Sequence, residues 1–304
     1  MLKKAINNLK IIDNVKHDEN QYLNLLKDIL EENQEFNGRN GKTLSIYGSA
    51  MHFSLENNVI PLLTTKRVAY KTCLRELLWF ISGNTSNKVL NDKNVHIWDA
   101  NSSREFLDSR NLTNYEENDL GPIYGFQWRH CNAPYMDCNS DYSNKGIDQL
   151  QEVINSLKDP SKNNSRRLLI SAWNPCQLEE MALPPCHVLM QFNVHNNKLS
   201  CSMYQRSVDV MLGEPFNIAS YSLLTHLLAK HCNLEAHEFI YYKGNCNIYE
   251  EHIEAAKIQL ERKPIEFPKL IIKNKKENIE DYTEDDFLIL NYKHHDTIKM
   301  TMKA

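Results

Sequence analysis

Residues 186–207 read as a β-hairpin that opens on a cysteine, and no other stretch constrains the fold as tightly. In CHVLMQFNV (186–194) the apolar residues Val188, Met190, Phe192 and Val194 recur at every second position. Successive strand side chains point to opposite faces, so these four share one side. Asn196-Asn197 offers a turn, and KLSCSMYQRS returns beyond it. Soon after comes FNIASYSLLTHLLAKHC (216–232), a long helix too apolar to lie on a surface.

The remaining periodicities fill in around that unit. Between Glu19 and Asn33 the residues Tyr22, Leu25 and Ile29 recur at helical spacing. TLSIYGSAMHFSL (43–55) alternates as a strand, and TCLRELLWFIS (72–82) is an apolar-rich helix with Gly83 as its stop. GIDQLQEVINSLK (146–158) is an amphipathic helix, while RRLLISAW (166–173), KLII (269–272) and DFLILNY (286–292) read as strands. The mixture implies an α/β or α+β fold with a mixed sheet. No linker, repeat or low-complexity block divides the 304 residues, which fit one large unit.

Composition narrows the function. A hydrophobic fraction of 41% and a charged fraction of 24% fit a folded, soluble protein, and no run of about 18 apolar residues predicts a membrane span. The net charge of −4 gives no electrostatic reason to expect a nucleic-acid partner. The N-terminus is polar, without the apolar core of a secretory signal. Its weak basic amphipathic character suggests organelle import, but acidic residues appear by position 19, so 1–18 is expected to be a flexible extension and 19–304 one catalytic domain. The eight cysteines contain no CxxC pair, so no zinc cluster and no metal is expected. Reduced thiols in the cytosol are the default, the nucleus being the other such compartment.

Cys186 follows Pro184 and Pro185, which restrict the backbone and remove two N–H donors. Taken alone it reads as one more buried cysteine. A thiolate nucleophile needs nearby positive charge, and Arg206 on the returning strand is the candidate. Arg166-Arg167 reads by default as a solvated pair, but here it opens an apolar strand. With Arg206 and Ser207 it suggests a phosphate-bearing ligand. Glu76 lies among apolar residues, where an unpaired carboxylate is disfavoured unless it has work to do. Asn217 reads either as a helix cap or as an amide matching a uracil edge with one donor and one acceptor.

The segments PLLTTKR (61–67), ELLWF (76–80), IWDAN (97–101), DLGPIYGFQWRH (119–130), RR with AWNP (166–175), MALPPCH (181–187), YQRSVDVMLGEPFNIASY (204–221) and TIKM (297–300) resemble thymidylate synthase, in order and at matching spacing. That resemblance implies a large mixed β-sheet with packed helices and a sheet face forming a homodimer interface. It implies a methyltransferase that converts dUMP to dTMP with 5,10-methylenetetrahydrofolate as co-substrate. Cys186 would add to C6 of dUMP, and Asn217 would read the N3/O4 edge. Glu76 and Tyr124 would serve the proton transfers through ordered water. Arg206, Ser207 and Arg39 would hold the phosphate, with Arg166 and Arg167 donated from the other subunit. Tyr249 would bind the sugar 3′-hydroxyl. Asp209 would hold the pterin, Trp98 would wall the transferred carbon, and Asn101, Gly213, Phe216, Lys66 and Met302 would complete the folate side. A C-terminal tail would close over the ligands. Dihydrofolate would be recycled by a reductase in another protein.

Three positions depart from the family pattern: Asn247 stands where a sugar-contacting histidine is usual, Asn245 where an aspartate is, and Asn193 where an aromatic is. The loop at 39–45 is one residue short. If Asn247 makes a weaker sugar contact, about 0.5–1.5 kcal/mol is lost, and Asn247→His should lower the KM for dUMP. Three rival readings compete with it. A dUMP/dCMP hydroxymethylase of the same fold is disfavoured by Asn217 and Trp98. A weakly active homologue kept for binding, for instance of RNA, is disfavoured by the intact residue set. A cysteine hydrolase with His187 as base is disfavoured because adjacent strand residues face opposite ways.

Overall fold

The structure, a computed structural model, describes residues 17–38 and 41–301. Its strands are β1 (Glu35–Gly38), β2 (Gly41–Ser54), β3 (Leu169–Ser171), β4 (His187–His195), β5 (Lys198–Asp209), β6 (Glu235–Tyr249), β7 (Lys269–Ile272) and β8 (Phe287–Leu290). The longer helices are α1 (Asn20–Glu32), α2 (Tyr70–Ile81), α3 (Tyr124–His130), α4 (Gln149–Lys158), α5 (Gly213–His231) and α6 (Ile253–Leu260). Strands β1 to β6 form one sheet in the order β1-β2-β6-β5-β4-β3, and β7-β8 form a separate ribbon.

The hairpin is β4–β5. Asn196 (φ 50°) and Asn197 (φ 63°) supply the two left-handed residues of a type I′ turn, whose twist matches that of the strands it joins. The chain then crosses through α5 and returns as β6, which pairs parallel to β5; every other pairing in the sheet is antiparallel. Helix α5 packs on both of those strands, and almost every one of its residues is buried, as its uniformly apolar sequence requires. Helix α1 buries Tyr22, Leu25, Leu26 and Ile29. The Glu19 carboxylate, just ahead of it, accepts hydrogen bonds from the amides and hydroxyls of Thr64 and Thr65. Packing begins before Glu19, since Asp18 accepts the Ser54 amide at 3.0 Å and the His17 ring lies 4.4 Å from Phe267.

Two sequence expectations change. The strand foreseen at 166–173 shortens to Leu169–Ser171, which pairs antiparallel with β4 from Leu189 to Gln191. Arg166 and Arg167 lie in a turn ahead of the strand, both exposed. Strand β6, which the sequence reading left unassigned, runs through the middle of the sheet. Lys243, Asn245 and Asn247 interrupt its apolar alternation, and burial of Lys243 beside Glu214 lets that strand stay central.

The helices cover one face of the large sheet. On the other face Tyr204 and Tyr242 are directly paired across β5–β6 and remain 38% and 47% exposed, with Tyr47 at 78%. Among the described residues no helix is long and apolar enough to cross a membrane, and no group of three or more His, Cys, Asp or Glu side chains could hold a metal.

Candidate active site

Cys186 sits one residue ahead of β4, where the diproline ends. The Arg206 backbone N–H donates to the Cys186 carbonyl at 3.0 Å, so the hairpin ladder itself sets the two residues side by side. The Arg206 guanidinium donates to the Pro185 and Pro184 carbonyls at 2.9 and 2.8 Å. It also lies 5.6 Å from the centre of the Trp173 ring. The diproline thus anchors the cation as well as the cysteine, because its two carbonyls have no helix or strand to satisfy them.

Behind the cysteine stands Tyr124, whose hydroxyl accepts the Cys186 N–H at 2.8 Å and keeps its own proton to donate. Tyr124 opens α3 at a positive φ of 21°, a conformation rare for a bulky residue and one that surrounding packing must enforce. Gly125 permits that packing. A Cβ there would meet the Phe80 carbonyl oxygen at 2.4 Å, so only glycine lets α3 approach the end of α2 this closely. The Tyr124 ring stacks on Phe80 at 4.9 Å and meets Trp98 edge-on at 5.9 Å.

Glu76 projects from α2 and accepts the Trp98 indole N–H at 2.7 Å. Burial pushes its carboxyl up to about 7, which that single hydrogen bond only partly offsets. Across the site, Asn217 lies in the second turn of α5, so it is not a helix cap; Leu212 holds the N-cap position. Its amide N–H donates to Gln205 Oε1 at 2.9 Å. Gln205 in turn donates to the Ser207 carbonyl at 2.9 Å. A carbonyl can only accept, so the Gln205 amide has one orientation, and through it so does that of Asn217. The Tyr241 hydroxyl also donates to Gln205 Oε1. Burial lowers the His187 imidazole to about 4, with the Asn217 side chain acting in the opposite sense, so it is neutral near pH 7. Its ring lies 5.2 Å from both Tyr124 and Tyr221.

Asp209 ends β5 and accepts the Met211 and Leu212 amides at 2.9 and 3.1 Å, while burial holds its pKa above the usual aspartate value. Lys66 donates to the Met211 carbonyl, and burial lowers its ammonium to about 8. Gly213 opens α5 beside them, and Phe216 is partly buried against the core. Asn101 is buried, and its Nδ2 has no partner among the described residues. Tyr249 ends β6, edge-on to His252 at 5.9 Å. Asn247 sits two residues earlier, hydrogen-bonded to Ser45 and Ser207.

One grouping does not form within the chain. The Leu168 carbonyl accepts the Phe192 amide, which places Arg166 and Arg167 beside the far end of β4. Six strand residues separate Phe192 from Cys186, roughly 20 Å at about 3.3 Å per residue, more than an arginine side chain spans. The pair is therefore not part of the Arg206–Ser207 cluster of its own chain. Arg39 and Met302 lie outside the described residues. The sequence reading missed Gln205, Tyr241 and the buried pair Glu214–Lys243. Gln205 was findable, since it occupies the inward phase of β5 with Leu199, Cys201 and Met203, a polar side chain in an apolar row.

Comparison with known proteins bears on this arrangement. The thymidylate synthase profile matches residues 20–304. The chain is 52% identical over 288 residues to a bifunctional dihydrofolate reductase-thymidylate synthase of Paramecium tetraurelia, covering 94% of this chain and 62% of that protein. It is 51% identical over 302 residues to the bifunctional protein of Plasmodium berghei, covering 98% and 51%. A probable thymidylate synthase of Schizosaccharomyces pombe is 52% identical over 300 residues, covering 94% and 48%. The chain thus spans about half the length of the curated relatives it matches. With the profile running from residue 20 to residue 304, the chain belongs to the thymidylate synthase family.

Proposed function

We propose that this chain catalyses the reductive methylation of dUMP at C5, giving dTMP and dihydrofolate. The observation that carries the reading is Cys186, held on the Tyr124 hydroxyl and laddered to Arg206. The Cys186 thiolate uses a lone pair to form a bond to C6 of the pyrimidine, and the pair of the broken C5=C6 π bond passes to C5 and O4. The oriented Asn217 amide suits uracil, because Oδ1 accepts from N3–H while the remaining N–H donates to O4. Cytosine reverses both roles, leaving two mismatched polar groups. Glu76, near 7, gives up and recovers a proton with equal ease at neutral pH, which suits transfers at O4 and the folate. Tyr124 donates a hydrogen bond from its hydroxyl to the water that accepts the C5 proton and so orients it. Breaking the C6–sulfur bond returns the thiolate.

Methylenetetrahydrofolate supplies the one-carbon unit and then the hydride that reduces it. The folate side fits a polar ring system: Asp209 offers a carboxylate, Asn101 a buried amide nitrogen without a partner among the described residues, and Trp98, Lys66, Gly213 and Phe216 complete it. Arg206 and Ser207 hold the phosphate, joined by Arg39, and Met302 belongs to the closing tail. We assign Arg166 and Arg167 to the site of a second subunit, docked through the tyrosine-bearing sheet face. Residues 19–304 act as one catalytic unit. Dihydrofolate is recycled by a dihydrofolate reductase activity, and we assign the chain to the cytosol.

Mixing the protein with dUMP and methylenetetrahydrofolate and following the absorbance rise of dihydrofolate tests the reading. Tetrahydrofolate with a hydroxymethylated nucleotide would identify the hydroxymethylase instead, and no turnover would favour a binding protein. Cys186→Ser should abolish product; substantial surviving turnover would sink the nucleophile assignment.

A further inference from the structure

The sugar-phosphate end of the site contains an amide whose hydrogen bonds run to the protein. Ser45 and Asn247 are directly opposite across β2–β6, and Ser45 Oγ donates to Asn247 Oδ1 at 2.7 Å. Asn247 Nδ2 lies 3.3 Å from Ser207 Oγ, 3.2 Å from the Val208 carbonyl and 3.3 Å from the Asn245 carbonyl. Two of those three acceptors are backbone oxygens that cannot donate. A flipped amide would set its own oxygen against both, so this orientation is fixed. Behind Ser45, the Thr43 hydroxyl lies at 2.9 Å. Ser45 has one proton and gives it to Asn247, and the Thr43 hydroxyl also lies 3.3 Å from the Phe36 carbonyl, to which it donates.

We propose that Asn247 is a positioning residue that brackets Ser207, with Ser45 as its brace, and that it makes no contact with the sugar. By donating to Ser207 Oγ, Asn247 leaves the serine's proton for another acceptor. On the reading of Ser207 as a phosphate ligand, on which this inference rests, that acceptor is a phosphate oxygen of dUMP. Asn247 thereby governs nucleotide affinity without touching the nucleotide. Ser45, on a different strand and one bond further back, shares the task.

The test is a mutant cycle read in steady-state kinetics with dUMP, with thermal unfolding measured on each variant. Ser207→Ala is expected to raise the KM for dUMP about tenfold, the size of one lost charge-assisted hydrogen bond, with kcat little changed. Asn247→Ala should do nearly the same, and Ser207→Ala/Asn247→Ala no more than Ser207→Ala alone. Ser45→Ala should raise KM by a few-fold at unchanged kcat. Additive effects of Ser207→Ala and Asn247→Ala, or a lower KM in Asn247→His, would mark Asn247 as a substrate contact and overturn the bracket. A Ser45→Ala variant that lowers the melting temperature but leaves KM alone would reduce the brace to a structural role. If Ser207→Ala leaves KM unchanged, the phosphate reading itself fails and the bracket's function with it.

Discussion

On the proposed reading Glu76 and Asn217 carry chemistry at single residues, and each is defined by what surrounds it. The folded-state pKa of Glu76, about 7 against an ordinary 4.5, means the folded protein binds this proton more tightly than the unfolded chain does. Its stabilising contribution is therefore fully present below pH 4.5 and is lost as pH rises through 7. Glu76→Gln should be more stable than the parent at pH 8 by on the order of 1–3 kcal/mol, discounted for the partial exposure of the side chain. The gap should close by pH 4.5 in melting-temperature series. The same variant should lose the limb near pH 7 from kcat/KM; an unchanged limb would show that another group titrates there. The carboxylate was visible in the sequence as a charge inside ELLWF. Its partner Trp98 was visible only as a resemblance, because 22 residues separate them in the chain.

Among elements, the join between α5 and β6 decides where Asn217 stands. Glu214 and Lys243 form an ion pair there with both side chains fully buried, and Lys243 Nζ lies 4.8 Å from the Tyr241 ring centre. Removing one partner strands a charge in the core. Lys243→Met should cost about 3–5 kcal/mol in urea unfolding. Lys243→Met combined with Glu214→Leu should recover most of that, since an apolar pair of similar volume replaces the salt bridge. A double variant as unstable as the single would show that the pair fills a geometric need that apolar side chains do not meet. No local pattern announces this pair. Lys243 on its own reads as a polar interruption that argues against a central strand, and Glu214 reads as a first-turn acid on a helix. Each is tolerated inside only because the other is there.

For the whole molecule, the one-sided sheet is the decisive feature. Its uncovered face carries Tyr47, Tyr204 and Tyr242, and Arg166 and Arg167 lie near the wrong end of β4 for their own cysteine. Both facts fit a homodimer in which each site borrows arginines. Cys186→Ser and Arg166→Ala/Arg167→Ala chains should each be inactive alone. Mixed under conditions that exchange subunits, they should regain turnover at the heterodimer's one intact site; no recovery would mean each chain supplies its own arginines. Tyr204→Lys/Tyr242→Glu should sediment as a lighter species than the parent.

What the sequence by itself determined is whatever is periodic or contiguous. The hairpin followed from alternation and an Asn-Asn turn, the buried helix from its uniform apolarity, and the diproline cysteine from three adjacent residues. Only the tertiary structure decided the orientation of the amides, the burial of Glu214 with Lys243, the bracket at Asn247 and the separation of the arginine pair from Cys186. The reason is physical. Strand and helix periods depend on neighbours a few residues apart, whereas hydrogen-bond direction and charge burial depend on groups brought together from distant strands, where register alone settles which side chain faces which.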